Sequence, residues 1–203
     1  MNKATIINLA LSTLGASTSV TATFGQNVTK IAESGELWYD HIRRKSLIDI
    51  IPNFAIQRRV VSKLTTSKPF GFANSYDRPA DALRVLGIGE ADSQFQEFND
   101  EGGTIDTDLD QPNGLQLRIV VDEEDMNKAD ANFIDYLVAH MAHALVAVVT
   151  SDEQRREVMR RSLKERMGDV MAIQAQNNPP IRVSTNRFRQ ARLTGGVARK
   201  RKK

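Results

Sequence analysis

The sequence predicts a mainly α protein: a helical bundle carrying an inserted small antiparallel β region and an extended basic C-terminal arm. Three observations predict it. Apolar residues recur at helical spacing over residues 4–15, 27–51 and 129–176. Between residues 68 and 122, nine Gly and Pro residues break the chain into short runs, one of which alternates as Leu115-x-Leu117-x-Ile119. The last 27 residues contain no Asp or Glu but nine Lys and Arg. The expected division is N-terminal bundle helices at 1–67, the β region at 68–125, C-terminal bundle helices at 126–176 and the arm at 177–203.

The elements follow in order. Ile6, Ile7, Leu9, Ala10, Leu11 and Leu14 form a helical stripe that Gly15, a common helix-stop residue, ends. The Ser/Thr-rich residues 16–25 read as a loop. A second helical pattern runs from Asn27 through Val28, Ile31, Ala32, Leu37, Trp38, Ile42, Leu47, Ile48 and Ile51, weakened at Ser34-Gly35 and broken by Pro52. Asn53 then caps a predicted shorter helix with Phe54, Ala55, Val60, Val61 and Leu64, its Arg58-Arg59 pair facing outward. Residues 80–122 read as a small antiparallel sheet or set of hairpins. Residues 129–149 hold Phe133, Ile134, Tyr136, Leu137, Val138, Met141, Ala142, Leu145, Val146, Val148 and Val149, and leave almost no polar face. Such a helix belongs at the centre, covered by neighbours. Ser151-x-x-Gln154 is a capping-box pattern opening the last helix. There Met159, Leu163, Met167 and Met171, with Val158 and Val170, make one stripe, and Arg155, Arg156, Arg160, Arg161 and Glu165 face outward. Asn177-Asn178-Pro179-Pro180 ends it, because proline lacks the amide proton and disfavours helix in the residue before it.

Charge is divided unevenly along the chain. Of 28 basic and 25 acidic residues, nine basic ones fall in 177–203, leaving 19 basic against 25 acidic before them. A body near −6 thus precedes a tail of +9. The tail has only Ile181, Val183, Phe188, Leu193 and Val197 as sizeable apolar groups, too few to bury a core, so alone it is expected to be disordered and to order on a partner. Arg182, Arg187, Arg189 and Arg192 surround Phe188, which suits a carboxylate-rich or phosphate-rich surface, since guanidinium forks pair bidentately with either. Arg199, Lys200 and Arg201, with the two following lysines, form a less specific run common to nucleic-acid patches and localisation signals. A solvated tail that merely aids solubility is the plainer reading.

Composition argues against several function classes. The chain has no cysteine, hence no disulfide framework, thiol nucleophile or thiolate metal site. No signal peptide is expected, because Asn8, Ser12 and Thr13 interrupt the N-terminal apolar run. Asp135, His140 and His143 argue against a membrane span in the longest apolar stretch. His140 and His143 have a spacing that can serve one metal, but further ligands are missing and two hydrogen-bonded structural histidines are the better reading. Asp106-x-Asp108-x-Asp110 begins like a calcium loop, yet Gln111 stands where Gly is needed and Leu117 where Glu is needed. It reads as an acidic hairpin tip. Gly87-x-Gly89 lacks the third glycine of a dinucleotide site, and no nucleophile-elbow sequence occurs. No enzyme, cofactor or metal is expected.

Several segments taken together resemble a known family. They are Asn8-Leu9-Ala10-Leu11-Ser12-x-Leu14-Gly15-Ala16, Trp38-Tyr39-Asp40-x-Ile42-Arg43, Asn53-Phe54-Ala55-x-x-Arg58-Arg59 and Ala73-x-x-Tyr76-x-x-Pro79-Ala80-Asp81-x-Leu83-Arg84-Val85-Leu86. Their order is similar to the tail tubular protein A family, the head-to-tail adaptors (connectors) of short-tailed bacteriophages. Similarity is good over residues 5–88, weaker through the later elements and absent from the arm. The family usually has Pro-Trp before Asn-Phe-Ala, whereas Ile51-Pro52 precede Asn53 here, leaving Trp38 and Phe54 as candidates to fill the missing aromatic's space. The resemblance implies a non-enzymatic structural virion protein in the neck or tail, assembled in the host cytoplasm. It further implies a dodecameric ring joining the portal protein above to a tail tubular B-like nozzle protein below, with double-stranded DNA passing through the lumen during ejection. Tail fibres are a further candidate partner, and no membrane is involved. In related adaptors the C-terminal segment fastens the ring to the portal. That makes Arg182, Arg187, Phe188, Arg189, Arg192, Arg199, Lys200 and Arg201 the candidate portal-binding residues. The alternative is a nucleic-acid-binding protein whose arm grips phosphate.

Overall fold

The computed structural model describes residues 1–15, 30–66, 68–89, 96–150 and 152–177. In chain order the elements are α1 (Lys3–Thr13), α2 (Lys30–Ile50), β1 (Ile56–Val61), β2 (Asn74–Asp77), β3 (Ala82–Ile88), β4 (Asn99–Glu101), β5 (Thr104–Thr107), β6 (Leu115–Val121), α3 (Ala131–Val149) and α4 (Glu153–Asn177). Short 3₁₀ turns precede β1 and α3. The loop read at 16–25, Val28, Ser151 of the capping-box pattern and the arm beyond Asn177 all lie outside the described residues.

The expected fold class requires correction. Two three-stranded antiparallel sheets account for 21% of the described residues against 53% in helix, so this is an α+β fold rather than a mainly α bundle with a small insert. The decisive difference lies at residues 53–64, where a helix was expected. Only Asn53–Ala55 forms a helical turn, and residues 56–61 form β1, paired along its whole length with β6. Ile56, Val60 and Val61 are β-branched, which lowers helix propensity and suits a pleated surface. The apolar spacing that suggested a helix is overridden by a complete ladder of cross-strand hydrogen bonds.

The first sheet has strand order β1-β6-β3 and the second β2-β5-β4. Past β1, residues 62–64 turn to pair with β2: Leu64 N donates to Ser75 O at 2.8 Å and Asp77 N to Ser62 O at 3.1 Å. Gly102 and Gly103, both at positive φ, make the two-residue turn between β4 and β5. The alternation read in Leu115-x-Leu117-x-Ile119 is present, and these three residues face a core shared with Tyr76 and Ile105 of the second sheet. Val120 points the other way, into the helical core with Ala55 and Met126. The first sheet therefore lies between the second sheet and the helices. That explains the unbroken Ile119-Val120-Val121 run, since a strand covered on both faces loses its polar alternation.

In the helical layer, α3 is central and packs against α1, α2 and α4. It is long and apolar enough to cross a membrane, and half of it is buried inside the protein. Asp130 caps it, its carboxylate accepting from Phe133 N at 2.7 Å. Asn2 caps α1 similarly, accepting from Thr5 N at 2.8 Å. Gly35 has a packing reason: a Cβ there would lie 2.8 Å from Ile7 Cγ2, so α2 meets α1 at closest approach. At the end of α2, Ile51 takes φ +54°, a left-handed conformation unusual for a β-branched residue, immediately before Pro52. Phe54 rather than Trp38 fills the inner aromatic position: its ring stands edge-on to Phe133 at 5.1 Å, whereas Trp38 is exposed. In α4, Val170 is buried and Met159, Leu163 and Met167 half-buried, but Val158 and Met171 of the expected stripe are exposed.

Candidate docking surfaces and the root of the arm

The end of α4 is fastened at several points. Val170 and Gln174 are its two buried side chains. Gln174 donates through Nε2 to Asp130 Oδ2 at 3.0 Å, and its Oε1 accepts from Asn53 N at 3.4 Å. The other oxygen of Asp130 caps α3, so one carboxylate joins the start of α3 to the end of α4. Hydrogen bonds to a carboxylate are among the stronger kind. The last described residue, Asn177, follows this clamp within one turn. The candidate portal-binding residues Arg182, Arg187, Phe188, Arg189, Arg192, Arg199, Lys200 and Arg201 lie outside the described residues.

A second fixed joint connects the helices to the sheets. Arg43 on α2 is 1% exposed, and its Nη1 donates to Asp122 Oδ1 at 2.7 Å and to Glu123 O at 2.6 Å. Arg44, largely exposed, donates through Nε to the other oxygen of Asp122 at 2.8 Å. Asp122 follows β6 directly, so these pairs set the first sheet against α2.

The polar residues weighed for chemistry are distributed differently. His140 is 7% exposed, its Nδ1 within 2.9 Å of Ser46 Oγ and its ring against Tyr136. Burial, reinforced by Lys45, pushes its pKa down to about 4. Burial with the nearby Asp49 carboxylate pushes Tyr136 up to about 12. His143 is half-buried on the same helix, and among the described residues no three His, Asp or Glu side chains converge as a metal site. The acidic Asp106-Asp108-Asp110 run is not a hairpin tip, since Gly102-Gly103 occupies that position. Asp106 is buried within β5 and held by Lys68 Nζ at 2.5 Å. Asp108 accepts from Ala73 N at 3.1 Å and Asp110 from Lys63 Nζ at 2.7 Å. All three acids pin the segment between β1 and β2. Gly87 sits at a register shift in β3, and Gly89 turns the chain out of the strand at φ +85°.

Two surface features were not distinguished by sequence reasoning. Leu37, 79% exposed, and Trp38, 43% exposed, project from α2 beside Glu33 and Glu36. Sequence could have found Leu37, which lies about 140° around α2 from buried Ile42, but not Trp38, which lies about 40° from it. The other is a groove of about 340 Å³ between α1 and α4, floored by Val138 and Ala139 of α3. Leu9, Ser12 and Thr13 form one wall, and Ser162 and Arg166 the other. Arg166 Nη1 lies 3.6 Å from Asp135 Oδ2 at its rim. Arg155 donates to Leu14 O at 3.3 Å, joining the end of α1 to α4. No protein-family profile matches the chain and no curated protein matches it, so the resemblance over residues 5–88 rests on the residues that carry it.

Proposed function

We propose that this protein is a structural head-to-tail adaptor of a short-tailed bacteriophage, forming a ring between portal and nozzle that is fastened to the portal by its basic C-terminal arm. The observation that carries the reading is the coincidence of two boundaries. The last acidic residue is Asp169, and every charged residue beyond the clamp made by Asp130, Asn53 and Gln174 near the end of α4 is basic. A segment of +9 thus starts from a fixed point on a body near −6. At ~3.3 Å per residue its 27 residues reach about 90 Å, enough to cross to neighbouring subunits. The resemblance over residues 5–88 supplies the identity of the partner. An acidic body also suits a lumen through which DNA slides without being held.

The second reading, an arm that grips nucleic acid, is favoured by the run at residues 199–203. The two are separated by titrating the purified protein against duplex DNA at several salt concentrations. The adaptor reading expects negligible binding at physiological salt. Tight binding whose logarithm falls by roughly 0.9 per phosphate contact with log salt would establish the nucleic-acid reading instead.

A further inference from the structure

We propose that the seam between α2 and α3 is an acid-operated latch, in which proton uptake by His140 parts the two helices around Ser46 without unfolding the protein. The inference stands on a cluster of side chains and is independent of the adaptor reading. All three histidines of the chain, His41, His140 and His143, gather at this one seam. On α2, Trp38, His41, Lys45 and Asp49 recur at three- and four-residue spacing and so share one face, and on α3 Tyr136, His140 and His143 do the same. His140 is buried between the helices, its Nδ1 2.9 Å from the fully buried Ser46 Oγ and its ring 5.6 Å from that of Tyr136. His41 is exposed at the rim, edge-on to Trp38 at 5.8 Å.

Charge makes this seam sensitive to acid. Among the described residues, the charged and titratable groups acting on His140 are Lys45, Asp49 and His41 of α2 and His143 of its own helix; α1 and α4, which also pack on α3, add none. While the imidazoles are neutral, Lys45 and Asp49 balance each other. Imidazoles charge in mildly acidic solution, and three further positive charges then face a single carboxylate. A charged His140 in the closed seam is also cut off from water, so it takes up its proton when the seam opens. No histidine lies in either sheet, on α1 or on α4, so their packing has no imidazole to charge. With a pKa of about 4 when the seam is closed and 6.5 when it is open, the open fraction should rise roughly 30-fold between pH 7.5 and pH 5.

The chain has no cysteine, so Ser46→Cys supplies a single thiol at a fully buried position. Its labelling by a dipyridyl disulfide, which reacts with thiols in mild acid, is compared at pH 7.5 and pH 5 with that of Leu37→Cys, a position 79% exposed. The ratio of the two rates should rise roughly 30-fold on acidification, and the rise should disappear when His140→Gln is added to Ser46→Cys. Urea below the unfolding range should leave the labelling rate at pH 5 nearly unchanged, because local opening exposes little surface. A rate climbing steeply with urea would mean that the thiol is reached only through global unfolding, and would overturn the latch. So would a ratio that is the same at both pH values, or a rise that survives His140→Gln. Amide hydrogen exchange in the natural chain repeats the test without a substitution in the seam. Protection at residues 44–48 and 138–142, corrected for the intrinsic exchange rate, should fall by a similar factor at pH 5 and respond weakly to urea. Unchanged protection, or protection as urea-dependent as that of β6, would contradict the proposal.

Discussion

Arg43 and Arg44 are adjacent in sequence, and both reach Asp122, but their surroundings give them different weights. Arg43 is buried and supplies two hydrogen bonds, so Arg43→Ala strands the Asp122 carboxylate and the Glu123 carbonyl. Breaking a buried pair by removing one member costs ~3–5 kcal/mol, and urea unfolding should show a loss of that order. Arg44 is mostly solvated, and Arg44→Ala should cost less than about 1 kcal/mol. Equal effects would remove Arg43 from its place as the joint between α2 and the first sheet. His140 makes a pH-dependent prediction. Its folded pKa of about 4 lies below the ordinary 6.5. Above pH 6.5 both folded and unfolded states hold it neutral. As pH falls from 6.5 towards 4, the unfolded chain takes up a proton that the folded state refuses, so stability declines, by on the order of 3 kcal/mol once pH is below 4. Unfolding free energies measured across that window should lose this slope in His140→Gln. An unchanged slope would assign the acid sensitivity to other groups.

Between elements, the contact of α1 with α2 depends on a missing side chain. Helix propensity alone makes Gly35→Ala stabilising by up to about 1 kcal/mol. The Cβ would meet Ile7 Cγ2 at 2.8 Å, and a β-branched neighbour at χ1 cannot swing away easily. Gly35→Ala is therefore expected to destabilise by ~1–3 kcal/mol, and a double-mutant cycle with Ile7→Ala should show strong coupling. Simple additivity would mean the helices do not meet there. The same position shows where sequence reading stops. Helices α1, α2, α3 and α4 and strand β6 were legible from their apolar period, although Leu37, Trp38, Val158 and Met171 of the expected stripes are exposed. Gly35 looked like a weakness in α2, since the residue that explains it, Ile7, is far away in sequence. β1 looked helical because its apolar residues fit either period over so short a run, and only pairing with β6 decides between them. The clamp of Asp130, Gln174 and Asn53 was likewise illegible, because its three members come from separate parts of the chain.

The whole molecule joins an acidic body to a basic C-terminal segment, which we propose acts on a partner. Composition alone distinguishes that segment, whose residues lie outside the described ones. Arg182, Arg187, Arg189 and Arg192 combine fork-shaped donors with Phe188, an aromatic able to fill a pocket, which favours slow dissociation. The run at 199–203 offers mainly attraction, screened beyond ~8–10 Å at physiological salt. The most direct test is electron microscopy of the protein mixed with its portal, comparing the natural chain with two variants. The natural chain should add a coaxial ring to the portal, as should the chain lacking residues 199–203, though more slowly. The variant with Phe188→Ala and Arg189→Ala should leave the portal bare even at low salt. Bare portals with the natural chain, or rings attached equally well by the Phe188/Arg189 variant, would contradict the account.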